Sequence, residues 1–146
     1  MAGYDTNLAS EFYVMAMLYR KGINANLTLG NKKSVDIVIE KKGEVITVDV
    51  KGLLAKNNAF PVDNWKKKDK NHYLIFVAFK DIKDHTLAPE VYIVPSLDLE
   101  KKYKELEKYT GGMLVYRNPK GNRQVVDLGR LRALGEKYKD KWSYFE

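Results

Sequence analysis

The chain has 146 residues, of which 45% are hydrophobic and 31% charged, a composition typical of a globular protein with one hydrophobic core. It contains no cysteine, which excludes disulfides and thiolate metal sites and agrees with a reducing, cytoplasmic setting. Its longest apolar run is too short to cross a membrane as a helix. The net charge of +7 indicates a polyanionic partner such as nucleic acid.

The first predicted element is a helix over residues 6–21, with an apolar stripe of Leu8, Met15 and Leu18. Alternating apolar and polar residues then predict a sheet. The later predicted elements are strands over 23–29, 35–41 and 44–51, an irregular stretch to residue 70, strands over 73–79 and 91–94, a helix over 97–109, a short strand in "GGMLVYR", and a last helix capped by Asp127.

This order of elements predicts an α/β fold, with a central mixed sheet flanked by helices. No linker or repeat divides the sequence, so we expect one domain over residues 1–146. Its core should span about residues 5–95, with helical and strand additions over 96–146.

The segment "SVDIVIEKKGEVITVDVKG" reads as a hairpin, yet it carries Asp36, Asp49 and Lys51 within its hydrophobic runs. Because side chains alternate along a strand, each strand has one wholly apolar face and puts its charges on the other. A two-residue turn at Lys42-Gly43 would place Asp36 directly opposite Asp49. Cross-strand partners of this kind have Cβ atoms about 4.5–5.5 Å apart.

Two carboxylates about 5 Å apart repel by roughly 3 kcal/mol at an effective dielectric constant near 20, so the pair needs a counter-charge. Lys51 can offset part of that repulsion, and a divalent cation can offset more. Mg²⁺ takes one or two protein carboxylates and fills its other positions with water and phosphate. The geometry therefore predicts a half-open Mg²⁺ site beside an ammonium group, which suits phosphodiester hydrolysis.

Glu11 lies within the apolar stripe of the first helix, three residues after Leu8 and four before Met15. It either extends to solvent beside the stripe or points towards the metal site. An acid that faces a core needs a partner there.

Glu11 on a leading helix, Asp36 on a strand and, after twelve residues, Asp49-Val50-Lys51 on the next strand resemble the PD-(D/E)XK nuclease superfamily. The segment "SEFYVMAMLYRKGINANLTLGNKKSVDIVIEKKGEVITVDVKG" is similar to small members of the Holliday-junction-resolvase type. Val35 replaces the proline of the motif, and the second acid is Asp rather than Glu. The resemblance covers about residues 5–79.

The resemblance implies the restriction-endonuclease-like fold, with a helix, three strands, a crossover and a further strand. It also implies a metal-dependent deoxyribonuclease that uses Mg²⁺ (or Mn²⁺) and has DNA as its partner. By match, Asp36, Asp49 and the Val50 carbonyl become metal ligands and Lys51 the catalytic lysine. Glu11 becomes an acid that either binds the metal or supports its ligands. Members that cut both strands commonly act as dimers, so the resemblance leaves a homodimer open.

Basic residues near the motif are candidates for phosphate contacts, because affinity for nucleic acid comes largely from Lys and Arg at the backbone. Trp65 either stacks on a base or lies in the core. His72 has no partner at metal-ligand spacing and is expected to be a structural or surface residue. The predicted nucleic-acid-binding residues are Lys32, Lys33, Lys56, Asn57, Trp65, Lys66, Lys67, Lys68 and Lys70.

Two other interpretations remain open at this point. The chain could be a catalytically silent nucleic-acid-binding protein on a nuclease fold. It could instead be a structural α/β domain in which Asp49 and Lys51 form a surface ion pair of little energetic value.

Overall fold

The computed structural model describes residues 3–28, 35–62, 70–121 and 123–146. Its first helix, α1, spans Gly3–Arg20, close to the prediction, and a short helix, α2, spans Leu128–Leu134. The strands in the described ranges are β1 Ala25–Leu27, β2 Ile37–Lys41, β3 Glu44–Leu54, β4 Ala59–Pro61, β5 His72–Phe79, β6 Glu90–Pro95, β7 Val115–Arg117 and β8 Gln124–Asp127.

The larger sheet has five strands in the order β1-β2-β3-β5-β6. β3 and β5 are parallel, while the other neighbouring pairs are antiparallel. A parallel pair needs a crossover, which the chain makes between Leu54 and His72. The mixed α/β class is thereby confirmed, with its order of helix, three strands, crossover and strand.

The central sheet is covered on both faces, which explains its long apolar strands. α1 packs on the face that includes Val48 and Val50, and the C-terminal residues Trp142 and Phe145 join the same buried cluster. The opposite face, which includes Leu74 and Phe76, packs against the C-terminal half of the chain. Asp49 and Lys51 belong to this second face because they alternate with the two valines along β3.

A second, three-stranded sheet was not predicted from the sequence. Its order is β4-β8-β7, and β4 lies in the stretch that was predicted to be irregular. β4 pairs with β8 from Ala59↔Asp127 to Pro61↔Val125. This pairing joins segments that are distant in sequence, so no local pattern indicates it. Asp127 caps α2 as predicted, accepting hydrogen bonds from the N–H groups of Gly129 and Arg130.

The predicted helix over residues 97–109 is wrong. The chain forms separate 3-10 turns at Ser96–Glu100, Lys104–Leu106 and Thr110–Gly112. Between the first two turns the backbone is extended, and the Tyr103 N–H donates to the Gly112 carbonyl. Each Glu–Lys pair on a helix contributes only about 0.2–0.5 kcal/mol, so these tertiary contacts outweigh the helical pattern.

Tyr138 connects this segment to the C-terminal region. Its hydroxyl donates to Asp98 Oδ2 at 2.7 Å and lies 2.7 Å from the Tyr103 hydroxyl. Burial, followed by the hydrogen bonds to Tyr103 and Asp98, raises the pKa of Tyr138 far above its usual range. The hydroxyl therefore stays protonated and can donate across the whole physiological pH range.

We expect Tyr138→Phe to lower the free energy of unfolding by about 1–3 kcal/mol, because it leaves the buried side of Asp98 without its donor. Urea denaturation of the two proteins measures the difference. Tyr109→Phe is the control, since Tyr109 is 38% exposed, and we expect a change within about 0.5 kcal/mol. Equal losses in both variants would contradict the assigned role of the Tyr138 hydroxyl.

In the part of the chain that the structure describes, neither helix combines the length and the apolar character needed to cross a membrane.

Candidate functional site

The site is built on the β2–β3 hairpin, whose predicted register is confirmed. Ile37 pairs with Val48, and Lys41 pairs with Glu44. The turn residues Lys42 and Gly43 both have positive φ, at 50° and 81°. Two such residues form the tight turn that matches the twist of antiparallel strands, which fixes the register predicted for the charged residues.

Asp36 departs from the predicted geometry at the end of this ladder. It lies in a bend just before β2, and the pairing ends at Ile37. In a regular strand, the N–H and C=O of one residue point towards the same neighbouring strand. At Asp36 the carbonyl accepts from the Thr28 N–H, on the β1 side, while the N–H donates to the Val48 carbonyl in β3. Asp36 is therefore not the simple cross-strand partner of Asp49 that the sequence predicted.

The side chain of Asp36 instead reaches the backbone of β3. Its Oδ2 accepts a hydrogen bond from the Val50 N–H at 2.7 Å, and its own N–H lies 3.0 Å from the Val48 carbonyl oxygen. These two contacts involve the two peptide groups that flank Asp49. Asp36 therefore lies beside the backbone of Asp49, at the point where the regular pairing of β2 with β3 has ended.

Asp49 and Lys51 lie on the sheet face opposite α1 and are both partly buried. In the parallel register, Asp49 is beside Leu74 and Lys51 is beside Phe76. Two residues along a strand span about 6.6 Å, so the carboxylate and the ammonium group can act on one bound phosphate. Their apolar neighbours limit the access of water and so strengthen electrostatic interactions there.

The sequence prediction for His72 missed its relation to Asp49. His72 is only 2% exposed and begins β5, where it pairs with Thr47. Its Nε2 lies 3.2 Å from Asp49 Oδ2, and its Nδ1 lies 2.7 Å from Thr47 Oγ1. The burial of His72 agrees with its interpretation as a structural residue. Its position beside Asp49 depends on the parallel register of β3 and β5, which the spacing of residues in the sequence does not indicate.

Glu11 is buried, with 6% of its surface exposed, so the alternative in which it extends to solvent is wrong. It follows Ser10, at the point where α1 touches β3. A Cβ at Gly52 would overlap Ser10 Oγ and lie 2.9 Å from the Thr6 carbonyl oxygen. Helix and strand are therefore in direct backbone contact beside Glu11.

The donor atoms fit a hard cation. Asp36 and Asp49 supply carboxylate oxygens, and the Val50 N–H contacts the Asp36 carboxylate. Mg²⁺ prefers such oxygen donors and keeps several waters. Among the residues that the structure describes, no three His, Cys, Asp or Glu side chains form a metal-binding group. Two carboxylate ligands would leave most positions of a bound Mg²⁺ to water and phosphate.

The described candidates for nucleic-acid contacts lie at both ends of the crossover. Lys56 and Asn57 are exposed on the turn that follows β3, and Lys70 is exposed just before β5. The predicted contacts Lys32, Lys33, Trp65, Lys66, Lys67 and Lys68 lie outside the described residues.

Comparison with solved structures gives a distant similarity to a nuclease. The bacterial homing endonuclease I-Ssp6803I superposes with a TM-score of 0.42 at 16% sequence identity. The match covers 62% of this chain and 63% of that structure's chain. No protein-family model matches the sequence, and no curated protein matches it.

Proposed function

We propose that this chain is a Mg²⁺-dependent endonuclease that hydrolyses phosphodiester bonds of DNA. The observation that carries the proposal is the pair of hydrogen bonds by which Asp36 joins both peptide groups of Asp49, with Lys51 two residues further along the same strand. Two carboxylates and an ammonium group at neighbouring positions of one hairpin, on a protein of net charge +7, support metal-assisted hydrolysis of a phosphodiester. The motif order of the PD-(D/E)XK superfamily supports the same assignment.

Asp36, Asp49 and the Val50 carbonyl would hold the cation. When bound, Mg²⁺ would neutralise charge on the scissile phosphate and lower the pKa of the attacking water. Lys51 would orient that water and stabilise the negative charge of the pentavalent transition state. Glu11 is buried on α1, on the other face of the sheet from Asp49, and would act on the ligands only through β3.

Exposed lysines would bind the DNA backbone. Lys56 and Lys70 lie at the two ends of the crossover that connects β3 to β5. Contacts of this kind carry no sequence information and weaken as salt increases. We therefore expect DNA affinity to fall steeply between about 50 and 200 mM salt.

The test is cleavage of end-labelled DNA by the wild-type protein with Mg²⁺, Mn²⁺ or EDTA. The substrates are double-stranded, single-stranded and four-way-junction DNA, with double-stranded RNA as a comparison. We expect cleavage of DNA with either metal and none with EDTA. Salt-sensitive binding without cleavage would instead support the catalytically silent binding protein, and cleavage that persists in EDTA would contradict the metal-dependent mechanism.

A further inference from the structure

His72 is a buried polar side chain whose two ring nitrogens both face side chains of β3. With 2% of its surface exposed, it needs hydrogen bonds to offset the loss of water. Nε2 lies 3.2 Å from Asp49 Oδ2, and Nδ1 lies 2.7 Å from Thr47 Oγ1. The side chains of Thr47, His72 and Asp49 therefore form a continuous chain of hydrogen bonds behind the carboxylate assigned to the metal.

The chemistry of these groups fixes the direction of the hydrogen bonds. An ionised carboxylate only accepts, so Nε2 must carry the proton that it shares with Asp49. In the neutral imidazole, Nδ1 is then an acceptor, and the Thr47 hydroxyl can donate to it. The Thr47 hydroxyl can donate or accept, so it is compatible with the ring form that donates to Asp49. Because both ring nitrogens are engaged, His72 is not expected to be a metal ligand itself.

We propose that His72 is a positioning residue that holds the Asp49 carboxylate in the orientation required to bind the divalent cation. The proposal rests on the metal site given under the proposed function. Partners that hydrogen-bond to a metal ligand orient it, and their loss typically weakens metal affinity or activity by 10–100-fold. Thr47 acts one step further away, through the imidazole.

Two amide substitutions separate this role from a purely structural one. The Nε2 of a glutamine occupies nearly the position of the histidine Nε2, so His72→Gln can still donate to Asp49. The amide of an asparagine lies near the position of Nδ1, so His72→Asn can contact Thr47 but not Asp49. Both variants bury one amide in the same place, which makes each the control for the other.

The experiment measures Mn²⁺ affinity by electron paramagnetic resonance for the wild type and both variants, with unfolding curves to establish that each is folded. We expect His72→Asn to weaken Mn²⁺ binding by about 10–100-fold and His72→Gln to stay within about threefold of the wild type. Equal affinity in all three proteins, or equal losses in the two variants, would overturn the positioning role. If the wild type binds no Mn²⁺, the proposed metal site fails, and the positioning role fails with it.

A second measurement tests the arrangement without metal. Long-range ¹H–¹⁵N correlation spectra of the metal-free protein report which imidazole nitrogen of His72 is protonated. We expect a proton on Nε2. A proton on Nδ1 alone would overturn the proposal even if the protein binds Mn²⁺ and cleaves DNA, because Nε2 would then have nothing to donate to Asp49.

Discussion

Replacing Lys51 with methionine should lower the rate of DNA cleavage by about 10²–10³-fold while leaving Mn²⁺ affinity nearly unchanged. The substitution removes the ammonium group but keeps most of the apolar length of a partly buried side chain. Loss of one donor to a developing oxyanion has an effect of this size, because the interaction strengthens in the transition state. Single-turnover cleavage and Mn²⁺ titration together measure the two quantities.

Lys83→Met is the matched control for Lys51→Met. It makes the same change in net charge at an exposed residue in the turn that follows β5. We expect cleavage by this variant to stay within about threefold of the wild type, since surface substitutions away from a site have small effects. If Lys51→Met cleaved as fast as Lys83→Met, Lys51 would have no catalytic role.

Replacing Gly52 with alanine should lower the free energy of unfolding by about 1–3 kcal/mol, because the added methyl group has no room between β3 and α1. It would overlap Ser10 Oγ and come within 2.9 Å of the Thr6 carbonyl oxygen, which is backbone and cannot rotate away. Movement of α1 would also displace Glu11. Urea denaturation measures the loss of stability.

Gly121→Ala is the control for Gly52→Ala. Gly121 is exposed, and a Cβ there would have nothing within 4 Å among the residues that the structure describes. The same substitution there should leave the free energy of unfolding unchanged or raise it by up to about 1 kcal/mol, because alanine reduces the conformational entropy of the unfolded chain. If both alanine variants were as stable as the wild type, α1 would not pack on Gly52 as described.

The hairpin was predictable from the sequence because its information is local. The alternation of apolar and polar residues distinguished the two faces of β2 and β3. The turn at Lys42-Gly43 set the register of the hairpin, in which Asp49 and Lys51 lie on the face opposite α1. Asp127 was likewise predicted as a helix cap from the residues that follow it in the sequence. The resemblance to PD-(D/E)XK nucleases added the order of elements around the hairpin.

The remaining features depend on contacts between distant segments. The pairing of His72 with Thr47 follows from the parallel register of β3 and β5, which a crossover sets and no spacing reveals. At Asp36 the carbonyl bonds to Thr28, just after β1, and the N–H bonds to β3, a combination that the local sequence does not indicate. The segment after Ser96 has helical periodicity, but its bonds to Gly112 and Tyr138 prevent a continuous helix.

The most direct test of the proposed metal site compares DNA cleavage by the wild type and Asp49→Asn in Mg²⁺, with both proteins shown to be folded by circular dichroism. The substitution keeps the shape of the side chain and removes the charge that would hold the cation. Since a bound metal contributes several kcal/mol to transition-state stabilisation, and about 1.4 kcal/mol is a factor of ten, we predict a fall of about 10³-fold or more. Cleavage by a folded Asp49→Asn protein at the wild-type rate would contradict the metal site and the function built on it.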